Sequence, residues 1–179
     1  MVTTLRTGDA STEYRVRPLV AADAARLQPL NNAAAPAVPI TSAHELAALI
    51  AFSALALGVE RDDAEGEDAL VGFVLALAPG AAYESENYRF FESRDVDHLY
   101  VDRIVIAESE RGRGLGAILY DAVFEAAREQ GRAEVTCEVN LDPPNPGSMA
   151  FHRRRGFREL GSQPTKGGTV TVALLSAPL

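Results

Sequence analysis

The hydrophobic positions of this chain fall into short runs that switch between period two and the helical period, and the switches predict its elements. Tyr14-Arg15-Val16-Arg17-Pro18 alternates and reads as a first strand stopped by Pro18. Residues 21–30 carry a helical pattern, and 31–39 form a loop broken by Pro36 and Pro39. Thr41 or Ser42 then caps a second helix with Glu45 in its first turn. Two apolar runs, 53–60 and 69–78, predict an antiparallel pair joined by the charged connection 60–68, although the alanines of the first also suit an extension of the preceding helix. Residues 81–96 set Tyr83, Tyr88, Phe90 and Phe91 among Glu, Ser and Arg and read as a long loop.

The pattern sharpens in the second half. Residues 97–106 predict a strand, and Leu115, Ile118, Leu119, Ala122, Val123 and Ala126 recur at helical spacing in a helix from about Gly114 to Gln130, with Gly131 as its stop. A strand over 134–139, a proline-rich turn over 142–147 and a short helix ending at Gly156 follow. Residues 157–161 and 169–175 complete the sheet as antiparallel strands around Lys166-Gly167-Gly168. With no repeat and no linker, the expectation is a flexible tail over 1–12 and one mixed α/β domain over 13–179.

Composition narrows the function classes. The 179 residues suit one ordinary domain, and 47% hydrophobic residues support a packed core. A net charge of −8 argues against nucleic acid as a partner, yet Arg103, Arg111, Arg113, Arg153, Arg154, Arg155 and Arg158 gather in the C-terminal half. An acidic body with one basic neighbourhood suits a small polyanionic cofactor. The single cysteine, Cys137, excludes an internal disulfide and fits a reducing compartment; its strand setting suits a packed thiol better than a nucleophile. No apolar run reaches the ~18 residues of a membrane span and no secretory h-region is present, so a soluble cytoplasmic protein with no membrane partner is expected.

The strongest chemical signal is Arg111-Gly112-Arg113-Gly114-Leu115-Gly116-Ala117, placed between the β-branched run Ile104-Val105-Ile106 and an amphipathic helix. A helix start leaves its first N–H groups without intrahelical partners and carries partial positive charge. Glycines there let phosphate oxygens approach those N–H groups, and Arg111 and Arg113 add charge-assisted contacts. The glycine spacing departs from the dinucleotide fingerprint, and no Gly-Lys-Ser/Thr follows to make a nucleotide-triphosphate loop.

Arg111-x-x-Gly114-x-Gly116 resembles the Q/R-x-x-G-x-G/A signature of the GNAT superfamily of acyl-CoA-dependent N-acyltransferases. The resemblance implies an α/β (α+β) fold, a mixed, mostly antiparallel central sheet of about six or seven strands flanked by about four helices, with the fourth and fifth strands splayed. It gives the CoA pyrophosphate to residues 111–117, that is Arg111, Gly112, Arg113, Gly114, Leu115, Gly116 and Ala117. The backbone of Ile104, Val105 and Ile106 takes the thioester carbonyl and the pantetheine arm. A later family motif, N-x-x-A-x-x-[LI]-Y-x-x-x-G-F, is matched by Asn145 through Gly156-Phe157. It adds Asn145, Ser148, Phe151 and Arg154 to the CoA contacts; for Asn145, a helix cap alone is the other reading.

Where the family carries the tyrosine that protonates the departing thiolate, this chain has His152. Imidazole can donate a proton near neutral pH, and a solvated histidine beside three arginines is the alternative. Alternation puts His98, Tyr100, Asp102 and Ile104 on one strand face. The family's frequent carboxylate near Asp102 makes it the first choice for base or amine anchor, against a plain ion pair; Tyr100 joins it as a catalytic candidate, and Asp97 with His98 is weaker. Acceptor choice falls to residues 20–50 and 81–96, including Asn31, Asn32, Tyr83, Glu84, Glu86, Tyr88, Phe90 and Phe91, where acidic and aromatic groups suit an amine. The expected activity is transfer of an acetyl group from acetyl-CoA, as co-substrate and without a metal, to a primary amine of a small molecule, amino acid or peptide. The alternative is a non-catalytic acyl-CoA sensor, and homodimers are common in the family.

Overall fold

In the computed structural model, which describes residues 3–6, 12–62 and 69–179, the chain forms eight strands and five α-helices. The strands are β1 (Thr3–Arg6), β2 (Glu13–Pro18), β3 (Leu55–Arg61), β4 (Leu70–Leu77), β5 (His98–Ile106), β6 (Glu134–Asp142), β7 (Arg158–Thr165) and β8 (Val170–Pro178). The helices are α1 (Ala24–Ala33), α2 (Ala43–Phe52), α3 (Glu86–Glu92), α4 (Leu115–Glu129) and α5 (Pro146–Arg154). Most of the charged connection expected over 60–68 lies outside the described residues. The chain divides into two compact units, Met1–Ala76 with Arg103–Ala122 and Leu77–Asp102 with Val123–Leu179; β4, β5 and α4 run through both.

In the first unit, β1, β2, β3 and β4 pair antiparallel in sequence order. Thr3–Arg6 pairs with Glu13–Val16, so part of the expected tail is an edge strand. The alanine-rich run after α2 is strand β3: Ser53 ends the helix with extended backbone, and its hydroxyl donates to the Leu49 carbonyl at 2.7 Å. Ser42 caps α2 as expected, its hydroxyl accepting from the Glu45 N–H while the Glu45 carboxylate accepts from the Ser42 N–H, a reciprocal box that satisfies two end donors. A buried carboxylate, Glu60, ties strand to strand by accepting from Arg15 at 2.9 Å and Arg17 at 2.7 Å. The loop between α1 and α2 closes over a buried guanidinium: Arg103 donates to Asn31 Oδ1 at 3.0 Å and Thr41 Oγ1 at 3.1 Å. Asn31 is thereby part of the loop's internal framework.

In the second unit the order is β5-β6-β8-β7, with β5 and β6 parallel and the rest antiparallel. Residues 81–96 are not the loop their composition suggested. Ser85 caps helix α3 by accepting from the Tyr88 N–H, and Tyr88 and Phe91, three residues apart, enter a core with Leu77, Tyr100, Val170, Val172 and Leu174. Three large rings brought to one side repay ordering a short helix that local propensity does not favour. Cys137 is buried and in no disulfide, as its strand setting implied.

Gly72 sets how closely β4 approaches the end of β5. A Cβ there would lie 2.6 Å from Ile106 Cδ1 and 3.1 Å from the Val105 carbonyl oxygen, and the backbone oxygen cannot move aside cheaply. Gly72→Val should therefore lower stability by about 1–3 kcal/mol, read as a drop in thermal midpoint; an unchanged midpoint would mean this contact does not position the strand.

Candidate active site

The glycine turn lies in the first unit. Gly112 and Gly114 adopt φ of +81° and +83°, a region that side chains with a Cβ rarely occupy, while a Cβ at either would meet nothing within 4 Å. Backbone conformation, not crowding, requires glycine here, and the space beside the turn is open. The Ile118 N–H donates to the Gly114 carbonyl at 3.1 Å as the first bond of α4, so the N–H groups of Leu115, Gly116 and Ala117 lie at the helix mouth. Leu115 is buried and anchors the helix, whereas Gly116 and Ala117 are half-buried and Arg111 is exposed. Arg113 has a more specific setting than expected: its Nε lies 3.0 Å from the buried carboxylate of Glu110. On β5, Ile104 and Ile106 are half-buried while Val105 is buried.

The second unit is described by its own strands and by helix α5. Pairing of β5 with β6 runs from His98↔Glu134 to Val101↔Cys137 and ends there, although β5 continues to Ile106 and β6 to Asp142. The residues immediately beyond the last pair are Asp102 and Glu138. Asp102 accepts from the Tyr83 hydroxyl at 2.5 Å, and Glu138 accepts from the Tyr100 hydroxyl at 2.8 Å. Asn87, itself held by Gln163 at 2.8 Å, also hydrogen-bonds Glu138. Burial first, then the Asp102 charge, push the Glu138 carboxyl up to about 7, against the opposing bonds from Tyr100 and Asn87. Burial, with Glu138 and Asp102 adding to it, pushes the Tyr100 phenol well above its ordinary range, so Tyr100 acts as a donor and not as a base.

Glu138 was not among the sequence candidates. It sits on a strand read correctly, but only the parallel register sets it beside Asp102, and register between distant strands leaves no local trace. Other candidates disperse. Asp97 pairs with Arg132 at 2.7 Å, while His98 is buried with Nδ1 2.8 Å from the Val96 carbonyl and Nε2 3.7 Å from Glu92. Of the acceptor-loop residues, Glu84 pairs with Arg89, Glu86 receives the Thr165 hydroxyl at 2.6 Å, and Tyr88 and Phe91 are core. From the same segment, Tyr83 joins the carboxylate pair at Asp102 and Asn87 joins it at Glu138.

Helix α5 begins at Asn145, whose Oδ1 accepts from the Ser148 N–H at 3.2 Å, with Pro146 in its first turn. Asn145, Ser148 and Phe151 are half-buried, and Arg154 is exposed. His152 is not solvated. It is buried, its Nδ1 lies 2.8 Å from the Ser148 carbonyl, and the Phe151 and Phe157 rings meet it edge-on at 5.3 and 5.2 Å. Burial lowers its pKa, with the Arg155 charge a smaller cause, so the ring is held neutral with Nδ1 as the donor. A neutral imidazole whose N–H is spent on a backbone carbonyl is poorly placed to deliver a proton.

Among the described residues no helix is long and apolar enough to cross a membrane, and no cluster of three His, Cys, Asp or Glu side chains could hold a metal ion.

A β-strand that leaves its parallel neighbour and feeds a glycine turn into a helix is the architecture of acyl-CoA-dependent acyltransferases. The chain belongs to the acetyltransferase (GNAT) family, whose model matches residues 29–157. It is 34% identical over 104 residues to the L-methionine sulfoximine/L-methionine sulfone acetyltransferase of Pseudomonas paraeruginosa, covering 54% of this chain and 57% of the relative. It is also 34% identical over 104 residues to the streptothricin acetyltransferase of Streptomyces lavendulae, covering 56% and 51%. The matched segment thus spans about half the length of these relatives. Among solved structures, Arabidopsis thaliana NAA60 in complex with a bisubstrate analogue shares the fold with a TM-score of 0.72 at 18% identity, over 92% of this chain and 97% of that one.

Two outcomes follow. Gly114→Asp, which puts a Cβ into a positive-φ position and a negative charge at the helix mouth, should weaken acetyl-CoA binding at least about 100-fold by calorimetry; unaltered affinity would sink the cradle. His152→Phe should keep kcat within about threefold while costing about 0.5–1.5 kcal/mol of stability through the lost ring bond to the Ser148 carbonyl. A hundredfold rate loss in a folded variant would restore His152 as the acid.

Proposed function

We propose that this protein is an N-acetyltransferase that moves an acetyl group directly from acetyl-CoA to a primary amine, with Glu138 as the general base. The observation that carries the reading is the carboxylate pair just beyond the last β5–β6 pair, in which Glu138 titrates at about 7. An amine arrives in water as its ammonium ion and must lose a proton before its nitrogen can attack. A base poised near the working pH does this best, since it is ionised enough to act and basic enough to hold the proton.

The roles divide accordingly. Asp102, fixed by Tyr83, anchors the ammonium; Glu138, fixed by Tyr100 and Asn87, takes its proton. The neutral nitrogen then bonds to the thioester carbonyl carbon as the carbon–sulfur bond breaks, and the second N–H proton passes to the departing thiolate, leaving the amide and the CoA thiol. A thiol with a pKa of about 8.5 leaves readily as its thiolate, so the step does not require the acid that the family tyrosine would supply. On the donor side, the turn at residues 111–117 holds the pyrophosphate through backbone N–H groups, and the strand of Ile104, Val105 and Ile106 offers its backbone to the pantetheine arm. Asp102 lies two residues before Ile104 on the same strand, which favours direct transfer over a covalent intermediate. The named relatives act on small molecules, supporting a small-molecule amine as acceptor, with a peptide amine as the other class.

The test is thiol release from acetyl-CoA across pH, using an alkylamine acceptor that remains an ammonium ion in solution throughout the range. Because Glu138 must be ionised to accept a proton, kcat/KM should be level above about 7 and fall about tenfold per pH unit below it. Glu138→Gln should lower the plateau by about 10²–10⁴-fold and abolish that limb. An unchanged profile in Glu138→Gln removes the base assignment. Tight acetyl-CoA binding with no turnover over a broad amine panel would favour the sensor instead.

A further inference from the structure

Glu110 is a buried carboxylate that the reaction chemistry does not use. Only 3% of it is exposed, and it closes the short 3-10 turn that leads directly into Arg111. Burying a carboxylate is costly unless its oxygens are fully occupied, and here three donors from three parts of the first unit converge on it. The Tyr14 hydroxyl on β2 donates to Oε2 at 2.5 Å, Arg61 at the end of β3 donates to Oε1 at 3.1 Å, and the Arg113 Nε lies 3.0 Å from Oε2. Burial, then the bond to Glu110, push the Tyr14 phenol up to about 12, so its proton remains available for this bond.

The consequence falls on the glycine turn. Gly112 and Gly114 flank Arg113, and both take the positive-φ backbone that leaves a chain most conformational freedom to lose. A turn of that kind samples many shapes unless something outside it is fixed. Glu110 fixes it from both ends: its own backbone closes the turn before Arg111, and its carboxylate grips Arg113 between the two glycines. One carboxylate against two guanidiniums also leaves a net positive charge, so the clamp does not cancel the attraction for an anion.

We propose that Glu110 is a positioning residue for the donor pyrophosphate, holding Arg113 and the 111–114 turn in the binding conformation before the donor arrives. The inference rests on the reading of residues 111–117 as the pyrophosphate site. Its signature is selectivity between donors: a thioester with a pyrophosphate loses affinity when the clamp is cut, and one without it does not.

The experiment compares acetyl-CoA with acetyl-pantetheine, which keeps the thioester arm and lacks the pyrophosphate and nucleotide. Glu110→Gln should raise KM for acetyl-CoA about tenfold or more, leave kcat at saturation within about twofold, and leave KM for acetyl-pantetheine unchanged. Tyr14→Phe keeps the carboxylate and removes one of its three donors, so it should show the same pattern at about threefold even if Glu110→Gln folds poorly. Glu110→Gln combined with Arg113→Gln should cost no more acetyl-CoA affinity than Arg113→Gln alone, since the carboxylate acts through that guanidinium. Equal effects on both thioesters in folded variants, no effect on either, or an additive double variant overturns the proposal while leaving the cradle standing. If the native protein uses acetyl-CoA no better than acetyl-pantetheine, the pyrophosphate reading itself fails and the positioning role falls with it.

Discussion

Two parallel strands hold together only while their backbone groups exchange hydrogen bonds, and in this protein β5 and β6 stop doing so after Val101 and Cys137. Had the register continued, Asp102 and Glu138 would be neighbours inside a closed sheet, and the β5 backbone would be consumed by its neighbour. Parting the strands leaves polar backbone that must find other partners, because a buried N–H or C=O without one costs as much as a lost hydrogen bond. The same parting leaves two carboxylates at the point where the strands separate.

Burial and the neighbouring Asp102 charge set the electrostatics around Glu138. Burial and the Asp102 charge raise Glu138, while donors from Tyr100 and Asn87 restrain it, and the balance falls at about 7. Each donor is held in turn by a packed element: Tyr100 lies in the α3–β8 core and Asn87 is bridged by Gln163 of β7. The aromatic cluster therefore does more than fill volume. It fixes the hydroxyl that keeps one carboxylate oriented, and Tyr83, packed edge-on against Tyr88 at 5.9 Å, orients the other.

His152 keeps its place in the motif but is buried rather than solvated. The helix, its Asn145 cap and the closing Gly156-Phe157 all follow the family pattern, but the side chain turns into the protein and bonds the Ser148 carbonyl. Burial, and less so the Arg155 charge, lower its pKa against the opposing bond to the Ser148 carbonyl.

Much of the architecture was legible in the chain. Alternation gave β2 and β5, the Ser42–Glu45 box gave the start of α2, and the glycines at 112, 114 and 116 marked a turn whose positive φ values at Gly112 and Gly114 depend on the missing Cβ. These are local facts, set by periodicity and by what a few neighbouring atoms permit. The helix over Glu86–Glu92 escaped because its stability comes from rings packed against distant strands, and the strand at Thr3–Arg6 because an edge strand is defined by its partner. Glu138 and Glu110 escaped for the same reason. A carboxylate in a sequence is only a charge; its pKa and its role come from the groups set around it, and those arrive from residues 38 and 96 positions away. The glycine turn follows from local sequence, because its backbone needs the missing Cβ, whereas the surroundings of Glu138 and Glu110 come from long-range register and burial.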